Sequence, residues 1–381
     1  VPRSATHRNP IVLYAASEID ADILYATGFR CPDPFLFVRT ASGRRVLVMS
    51  DLEIDRAKKQ SNAHRVLSFS SYAAKAEKRL GKAPKPADTI AEVLRDLSIK
   101  AVTVPGSFGA AHLEQLRTRG VRVTVADGPV FPERIIKTPR EVSAIRAAMR
   151  ITEDGMEAAI DLLRDARVER GWVVRDGKRL TCEDLRDAAN GVIFAQGCIP
   201  AGTIVAAGKR GCDPHDVGGG PIRAGEPIIL DIFPRSEKSG YFADITRTVV
   251  KGTPKPIVRD MYDAVFEGQQ FALKKIRHGA RVSDIHNGIH AIFEKRGFKT
   301  GKIKGRMQGF FHGTGHGLGL EIHEAPRVAG NDTRLEAGMV VTVEPGLYYH
   351  PHGGVRIEDT VLVTKTGLTN LTRFPKFFII P

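Results

Sequence analysis

The sequence predicts an α/β protein of two domains, the second built on a duplicated strand-and-carboxylate unit. Residues 1–130 alternate short β-branched runs with amphipathic helical runs, the pattern of a sheet covered by helices. A junction rich in breakers, Asp127–Lys137 with Pro129 and Pro132, separates them from residues 131–381. Within residues 131–381 an arrangement of about forty residues occurs twice, which points to pseudo-two-fold symmetry rather than a solenoid. At 381 residues the chain has room for one large or two medium cores.

In the N-terminal region, Pro34–Thr40 and Arg45–Ser50 read as strands joined by a Ser-Gly turn. Ser50-Asp-Leu-Glu53 reads as a capping box that opens a helix through Lys59. Then come a strand at Val66–Phe69, a helix at Pro86–Leu97, a strand at Ala101–Pro105, a helix at Ala110–Arg119 and a strand at Val121–Ala126. Their alternation predicts a largely parallel sheet. No catalytic constellation occurs here.

The C-terminal region opens on Thr138-Pro139-Arg140-Glu141: a capping Thr, Pro at the first helical position and Glu at the third. Val142, Ile145, Met149 and Met156 mark the buried face of that long helix. Further helices are expected at Thr181–Ala189, Lys255–His278 and Ser283–Lys295. His286 and His290 lie four apart on the last, with no acid joining them, and read as helix-surface residues. One copy of the repeat runs Ile222-Arg-Ala-Gly-Glu-Pro-Ile-Ile-Leu-Asp231, a polar turn, then Gly240-Tyr-Phe-Ala-Asp244. The other runs Leu335-Glu-Ala-Gly-Met-Val-Val-Thr-Val-Glu344, a turn, then Gly354-Val-Arg-Ile-Glu358. A carboxylate inside an apolar strand is costly unless its charge is compensated. Four of them in a repeat call for cations.

Between the copies lies Gly-Phe-Phe-His-Gly-Thr-Gly-His-Gly-Leu-Gly-Leu-Glu-Ile-His-Glu, residues 309–324. His312 and His316 have the spacing of a helical zinc motif, but Gly-Thr-Gly fills the interval. Each such glycine costs a helix about 1 kcal/mol, so loop and strand are expected. Asp231, Asp244, Glu344 and Glu358 with one imidazole from this stretch make an oxygen-rich donor set. That set suits two divalent ions such as Mn, Co, Zn or Fe better than a structural cysteine-type zinc. Two ions about 3.5–4 Å apart would hold a bridging hydroxide and polarise a carbonyl.

These motifs resemble the pita-bread metallopeptidases, which include aminopeptidase P, prolidase and methionine aminopeptidase, with creatinase as a metal-free relative. The resemblance covers roughly Ile135–Pro381. It implies a pita-bread catalytic domain behind a creatinase-type N-terminal domain. It further implies Asp231, Asp244, His316, Glu344 and Glu358 as metal ligands, with Asp244 and Glu358 bridging both ions. Creatinase and the non-catalytic relatives have lost this set, so its presence argues against them. By the same resemblance His215 contacts substrate near the scissile bond, and His323 steadies the carbonyl oxygen as it becomes an oxyanion. His312 and Arg356 match pocket-lining residues of the X-Pro branches, and Glu344 doubles as general base. Two departures stand out: Asp231-Ile-Phe-Pro-Arg235 where Asp-Xaa-Gly is usual, and the glycines Gly218-Gly219-Gly220 after His215. Neither touches an expected ligand, and both lie where they reshape the substrate pocket.

The implied activity is a two-metal exopeptidase for X-Pro bonds, by attack of a metal-bridging hydroxide, with Mn or Co ahead of Zn or Fe. A proline imide nitrogen has no N–H, whereas a two-metal site needs only the carbonyl and the free amine. The N-terminal domain favours the X-Pro branches over methionine aminopeptidase. The short Glu344–Glu358 turn and the His-Gly-Thr-Gly-His-Gly spelling lean towards prolidase. A non-peptidase amide hydrolase of the same fold is the alternative, permitted by the departure after Asp231. A homodimer is also implied, with the N-terminal domain shaping the partner's pocket.

Composition narrows the classes further. Hydrophobic content of 42% reads as globular, and no apolar run approaches the roughly 18 residues of a membrane span. Val1-Pro-Arg-Ser has neither an initiator Met nor the apolar stretch of a secretory signal. Cys31, Cys182, Cys198 and Cys212 form no CxxC pair, which fits reduced thiols in a cytoplasmic protein. Cys212, three before His215, reads as an ordinary buried thiol. The net charge of +14 clusters at Lys75–Lys85, Arg117–Arg122, Lys274–Arg277 and Lys299–Arg306. No nucleic-acid-binding signature accompanies these clusters, so a solvated basic surface is expected rather than a nucleic-acid partner.

Overall fold

The structure, a computed structural model, describes residues 9–381; Val1-Pro-Arg-Ser lies outside them. Two units are present, the first ending at Arg134 and the second Ile135–Pro381. The first carries β1 (Ile11–Ala15), β2 (Phe35–Arg39), β3 (Arg45–Met49), β4 (Arg65–Ser68), β5 (Ala101–Val104) and β6 (Arg122–Val125), in the sheet order β4-β3-β2-β1-β5-β6. The sheet is mixed rather than largely parallel: β1–β2 and β2–β3 are antiparallel, and β1–β5, β3–β4 and β5–β6 are parallel. The reason is the short turn after β2, since only antiparallel strands close over so few residues. The sequence pattern alone did not mark β1, although Ile11-Val-Leu-Tyr-Ala is an apolar strand-like run.

Helices Pro86–Asp96 and Ala110–Thr118 form where expected. Two further helices, Ala21–Thr27 and Phe69–Leu80, are additional to those expected and are capped by the side chains of Asp20 and Ser68. The capping box at Ser50 does not form. The helix there starts at Ile54, its N-cap Glu53 makes no side-chain cap bond, and the Asp51 carboxylate takes the Ser68 and Ser70 hydroxyls instead.

In the second unit the capping box at Thr138 and Glu141 does open a helix, Pro139–Asp165. It packs on the helix Cys182–Ala195, and Pro256–Lys275 packs in the same way on Val282–Lys295. Both pairs close at a glycine. A methyl on Gly155 would lie 2.7 Å from Ile193, and one on Gly288 would lie 2.3 Å from the Phe271 ring. Each pair covers its own core beside its own copy of the strand repeat. In the first copy Ile228–Ile232 pairs antiparallel with Ile245–Lys251, and in the second Val340–Val343 pairs antiparallel with Asp359–Val363. The connection from Glu344 to Glu358 is more than a turn. It holds a separate hairpin, Gly346–Tyr349 with Gly353–Arg356.

The two copies bond to each other reciprocally through acid-Xaa-Thr triplets, Asp244-Ile-Thr246 and Glu358-Asp-Thr360. The Thr246 hydroxyl donates to Glu358 Oε2 at 2.8 Å, and the Thr360 hydroxyl donates to the Asp244 carbonyl at 2.8 Å. Arg247 completes the seam from full burial. Its guanidinium donates to the carbonyls of Thr246, Glu358, Phe374 and Pro375, and meets Asp359 at 3.0 Å. Removing the guanidinium takes its donors from four carbonyls and from Asp359 Oδ1, leaving Asp359 only Lys376 and Asn370 at its other oxygen. Arg247→Met is therefore expected to destabilise the chain by about 3–5 kcal/mol, read from urea unfolding followed by circular dichroism.

Candidate metal centre

The strand repeat and the Gly-His stretch meet at one place. Asp231 lies within Ile228–Ile232, Glu344 follows Val340–Val343 directly, and Asp244 and Glu358 immediately precede their return strands. His316 sits on the short strand Gly315–Gly317, between Glu324–Val328 and Val340–Val343. That strand is squeezed by backbone on both sides. A methyl on Gly315 would lie 2.0 Å from the Thr342 carbonyl oxygen, and one on Gly317 would lie 2.2 Å from that of Ala325. Only glycine fits on either side of His316, which explains the Gly-His-Gly spelling.

Donor atoms of Asp244, His316 and Glu358 all lie within 4.8 Å of one another. His316 Nε2 stands 3.6 Å from Asp244 Oδ2 and 3.5 Å from Glu344 Oε1, while its Nδ1–H donates to the Gly317 carbonyl at 3.0 Å. That bond fixes the tautomer and turns the Nε2 lone pair towards the acids. Burial pushes the imidazole pKa down to about 4, so it is neutral at pH 7 and able to ligate.

The acids are short of positive charge. Asp231, Asp244 and Glu358 are 9%, 4% and 2% exposed. Burial first, and then the neighbouring Glu358 charge, hold Asp244 and Glu344 well above the ordinary carboxylate range. Burial and then Asp231 push Glu358 up to about 7. The cation in contact is Arg356, itself buried, which donates to Asp231 Oδ2 at 2.6 Å. Among the described residues Asp231 Oδ1, Asp244 Oδ1 and Glu358 Oε1 are buried with no hydrogen-bond partner. Buried, orphaned carboxylate oxygens facing a neutral imidazole fit divalent cations.

Above this cluster is a cavity of about 840 Å³ lined also by His215, His312, His323, Phe233, Phe311 and Arg327. All nine residues singled out in the sequence line it. The His323 ring packs edge-on against His316, with centroids 4.3 Å apart. His215 comes from a loop held by Arg306, whose guanidinium donates to both Asp213 oxygens at 2.9 and 3.0 Å. The glycines that follow have a steric reason, since a methyl on Gly218 would lie 1.6 Å from the Val205 carbonyl oxygen. His312 donates from Nδ1 to the Gly313 carbonyl at 2.7 Å, which leaves Nε2 to accept from the Tyr348 hydroxyl at 2.9 Å. Tyr348 in turn accepts from Arg356 Nη1 at 2.9 Å. Arg356 thus lines the cavity with its guanidinium committed to Asp231 and Tyr348.

Several residues of the site carry no signal in the sequence. Tyr348 and Thr246 are ordinary strand residues by their local pattern. Arg327, four after His323, lines the cavity and has no acid partner among the described residues. Lys137, at the junction, is buried and donates from Nζ to Glu324 Oε1, anchoring the residue after His323. His286 and His290 are not on the helix surface as expected. Both are half-buried against Phe310, because that helix face lies beneath the Gly-His stretch. The four cysteines are free and buried, Cys212 included. Among the described residues no helix is long and apolar enough to cross a membrane.

Known proteins share both sequence and fold with this chain. Residues 143–365 match the family model described as metallopeptidase family M24. A Xaa-Pro dipeptidase of Pyrococcus furiosus is 31% identical over 331 residues, covering 86% of this chain and 84% of that protein. The crystal structure of the prolidase from Pyrococcus horikoshii superposes with a TM-score of 0.78 at 28% identity, covering 97% of this chain and 95% of that one. A Xaa-Pro dipeptidase structure from Bacillus anthracis gives a TM-score of 0.82 at 25% identity, with 99% and 96% covered.

A carboxyl that holds its proton more tightly when folded favours the folded state only while that proton is bound. For Glu358 the stabilisation is present below 4.5 and is lost as pH rises through about 7. The chelator-treated chain should therefore melt at progressively lower temperature across that window. The slope should shrink in Glu358→Gln and be opposed by saturating Mn²⁺, whose binding to the deprotonated acids strengthens as pH rises, as read by differential scanning fluorimetry.

Proposed function

Because the chain belongs to metallopeptidase family M24, we propose that it is a two-metal exopeptidase for X-Pro bonds, with X-Pro dipeptides as its preferred substrates. The observation that carries this reading is the convergence of four carboxylates, three of them buried, and one neutral imidazole on a cavity floor, with three carboxylate oxygens that have no hydrogen bond among the described residues. Asp231, Asp244, His316, Glu344 and Glu358 would hold the two ions. Mn or Co suits this oxygen-rich set, with Zn or Fe as alternatives. When bound, such ions supply Lewis acidity to a carbonyl oxygen and lower the pKa of water to near neutrality.

The chain's own groups do the rest. Glu344, on the cavity floor with Oε1 3.5 Å from His316 Nε2, is the base that takes the proton of the attacking water and passes it towards the leaving nitrogen. His323, beside His316, donates towards the carbonyl oxygen as charge develops there. His215 meets the substrate from the opposite loop. Arg356 and Tyr348 fix His312 with its Nδ1–H directed at the Gly313 carbonyl. Burial pushes Tyr348 up to about 12 and His312 down to about 3, so neither changes protonation at neutral pH.

Substrate choice follows from the walls. Phe233, Phe311, Ile204 and Ile322 form apolar surface suited to a pyrrolidine ring. The relatives named Xaa-Pro dipeptidase act on the corresponding bond. The guanidinium of Arg327 suits the free carboxylate that a dipeptide presents directly after proline, and this favours dipeptides over longer peptides. Phe233 belongs to the unusual Ile-Phe-Pro run and lies on the wall, so a small amide other than a peptide remains the competing substrate class.

A panel of X-Pro dipeptides, X-Pro-X tripeptides, Met-Ala peptides and small amides, assayed with Mn, Co and Zn, separates these readings. X-Pro dipeptides are expected to give the highest kcat/KM, and hydrolysis of amides alone would overturn the assignment. Glu344→Gln should lower kcat by at least about 100-fold while the chain stays folded. Arg327→Ala should raise KM for dipeptides by about 10- to 100-fold, with a much smaller effect on the corresponding dipeptide amides.

A further inference from the structure

His286, expected on a solvated helix face, is instead put to use beneath the site. It projects from the helix Val282–Lys295 beneath the segment His312-Gly-Thr-Gly-His316. His286 Nδ1 and the Thr314 hydroxyl are hydrogen-bonded at 2.9 Å. Thr314 is fully buried, and its hydroxyl makes no other bond among the described residues. Its backbone faces the site, and its carbonyl accepts the Glu344 N–H at 2.7 Å. One threonine therefore touches the helix with its side chain and the site with its main chain.

We propose that His286 is a positioning residue of the active site: through Thr314 it fixes the Gly-Thr-Gly segment that sets His312, His316 and the backbone of Glu344 in place. The inference rests on the roles given above to His316 and Glu344. Three physical points support it. Glycines flank Thr314 on both sides, so this stretch has little side-chain packing of its own and greater backbone freedom than any other residue type would allow. Ladder pairing holds the backbone of Gly315–Gly317, and the Thr314 hydroxyl is the side-chain group that ties the segment to the helix. The anchor is itself held, because His286 packs against Phe310 at 5.2 Å and edge-on against His290 at 4.7 Å between ring centroids. Burial, followed by His290, pushes His286 down to about 4, so its hydrogen-bonding role is constant across neutral pH. Small displacements of reacting groups are amplified in rate, which makes such an anchor a determinant of turnover rather than of substrate affinity.

The test uses the full chain loaded with Mn²⁺ and the dipeptide Ala-Pro. His286→Leu and Thr314→Val are each expected to lower kcat by about tenfold with KM unchanged. Their double variant should be no worse than either alone, because both remove one hydrogen bond. His286→Asn presents an amide near the position of Nδ1 and should recover most of kcat, which a purely space-filling role would not allow. Mn²⁺ affinity, measured by isothermal titration calorimetry, should weaken in His286→Leu and Thr314→Val and return in His286→Asn. Unchanged kcat and Mn²⁺ affinity in Thr314→Val would overturn the proposal. So would losses that multiply in the double variant, or an Asn variant no better than Leu. If the wild-type chain leaves Ala-Pro intact, the X-Pro reading fails, while the calorimetric arm still decides the anchoring role of His286.

Discussion

Negative charge held out of water governs the second unit. Four carboxylates converge on a neutral imidazole, and the guanidinium of Arg356 answers only a fraction of their demand. Such an arrangement survives only with protons or cations to compensate it. The rest of the unit serves that convergence. The helix pairs and their cores support two sheets, the sheets deliver acids at their strand ends, and the threonines and Arg247 lock the two copies in register. A fold with a single copy would supply half the acids and none of the reciprocal bonds.

The convergence of the four acids was legible because the repeat spells it out. Ala-Gly before a β-branched run marks each strand, and an acid inside or beside such a run has no innocent explanation when it occurs four times. The resemblance to the pita-bread enzymes then singled out His316 among three candidate histidines. The internal geometry of the strand Gly315–Gly317 accounts for that choice only in three dimensions. The supporting partners were opaque for the opposite reason. Thr246, Tyr348 and Lys137 act through contacts with residues distant in sequence, and nothing in their local sequence distinguishes them from ordinary strand or junction residues.

The first unit shows where local rules fail. Ser50-Asp-Leu-Glu53 has the spelling of a capping box, yet Asp51 found two serine hydroxyls across the adjacent strand and the helix began one turn later. At Thr138, where no competing partner intervenes, the same motif closed as written. His286 is the converse case. A lone histidine pair on a helix is usually solvated, and only the position of the Gly-His stretch above that face gives it a different surrounding.

The close packing of Gly315 and Gly317, on either side of His316, against the carbonyl oxygens of Thr342 and Ala325 bears on how the protein tolerates change. The location of His316 is set by main chain above and below, with the Thr314 side chain as the tie to the helix beneath. Surrounding residues are thereby freer to change without dislodging the imidazole. A lineage built this way can explore new substrates at the rim while its chemistry stays put.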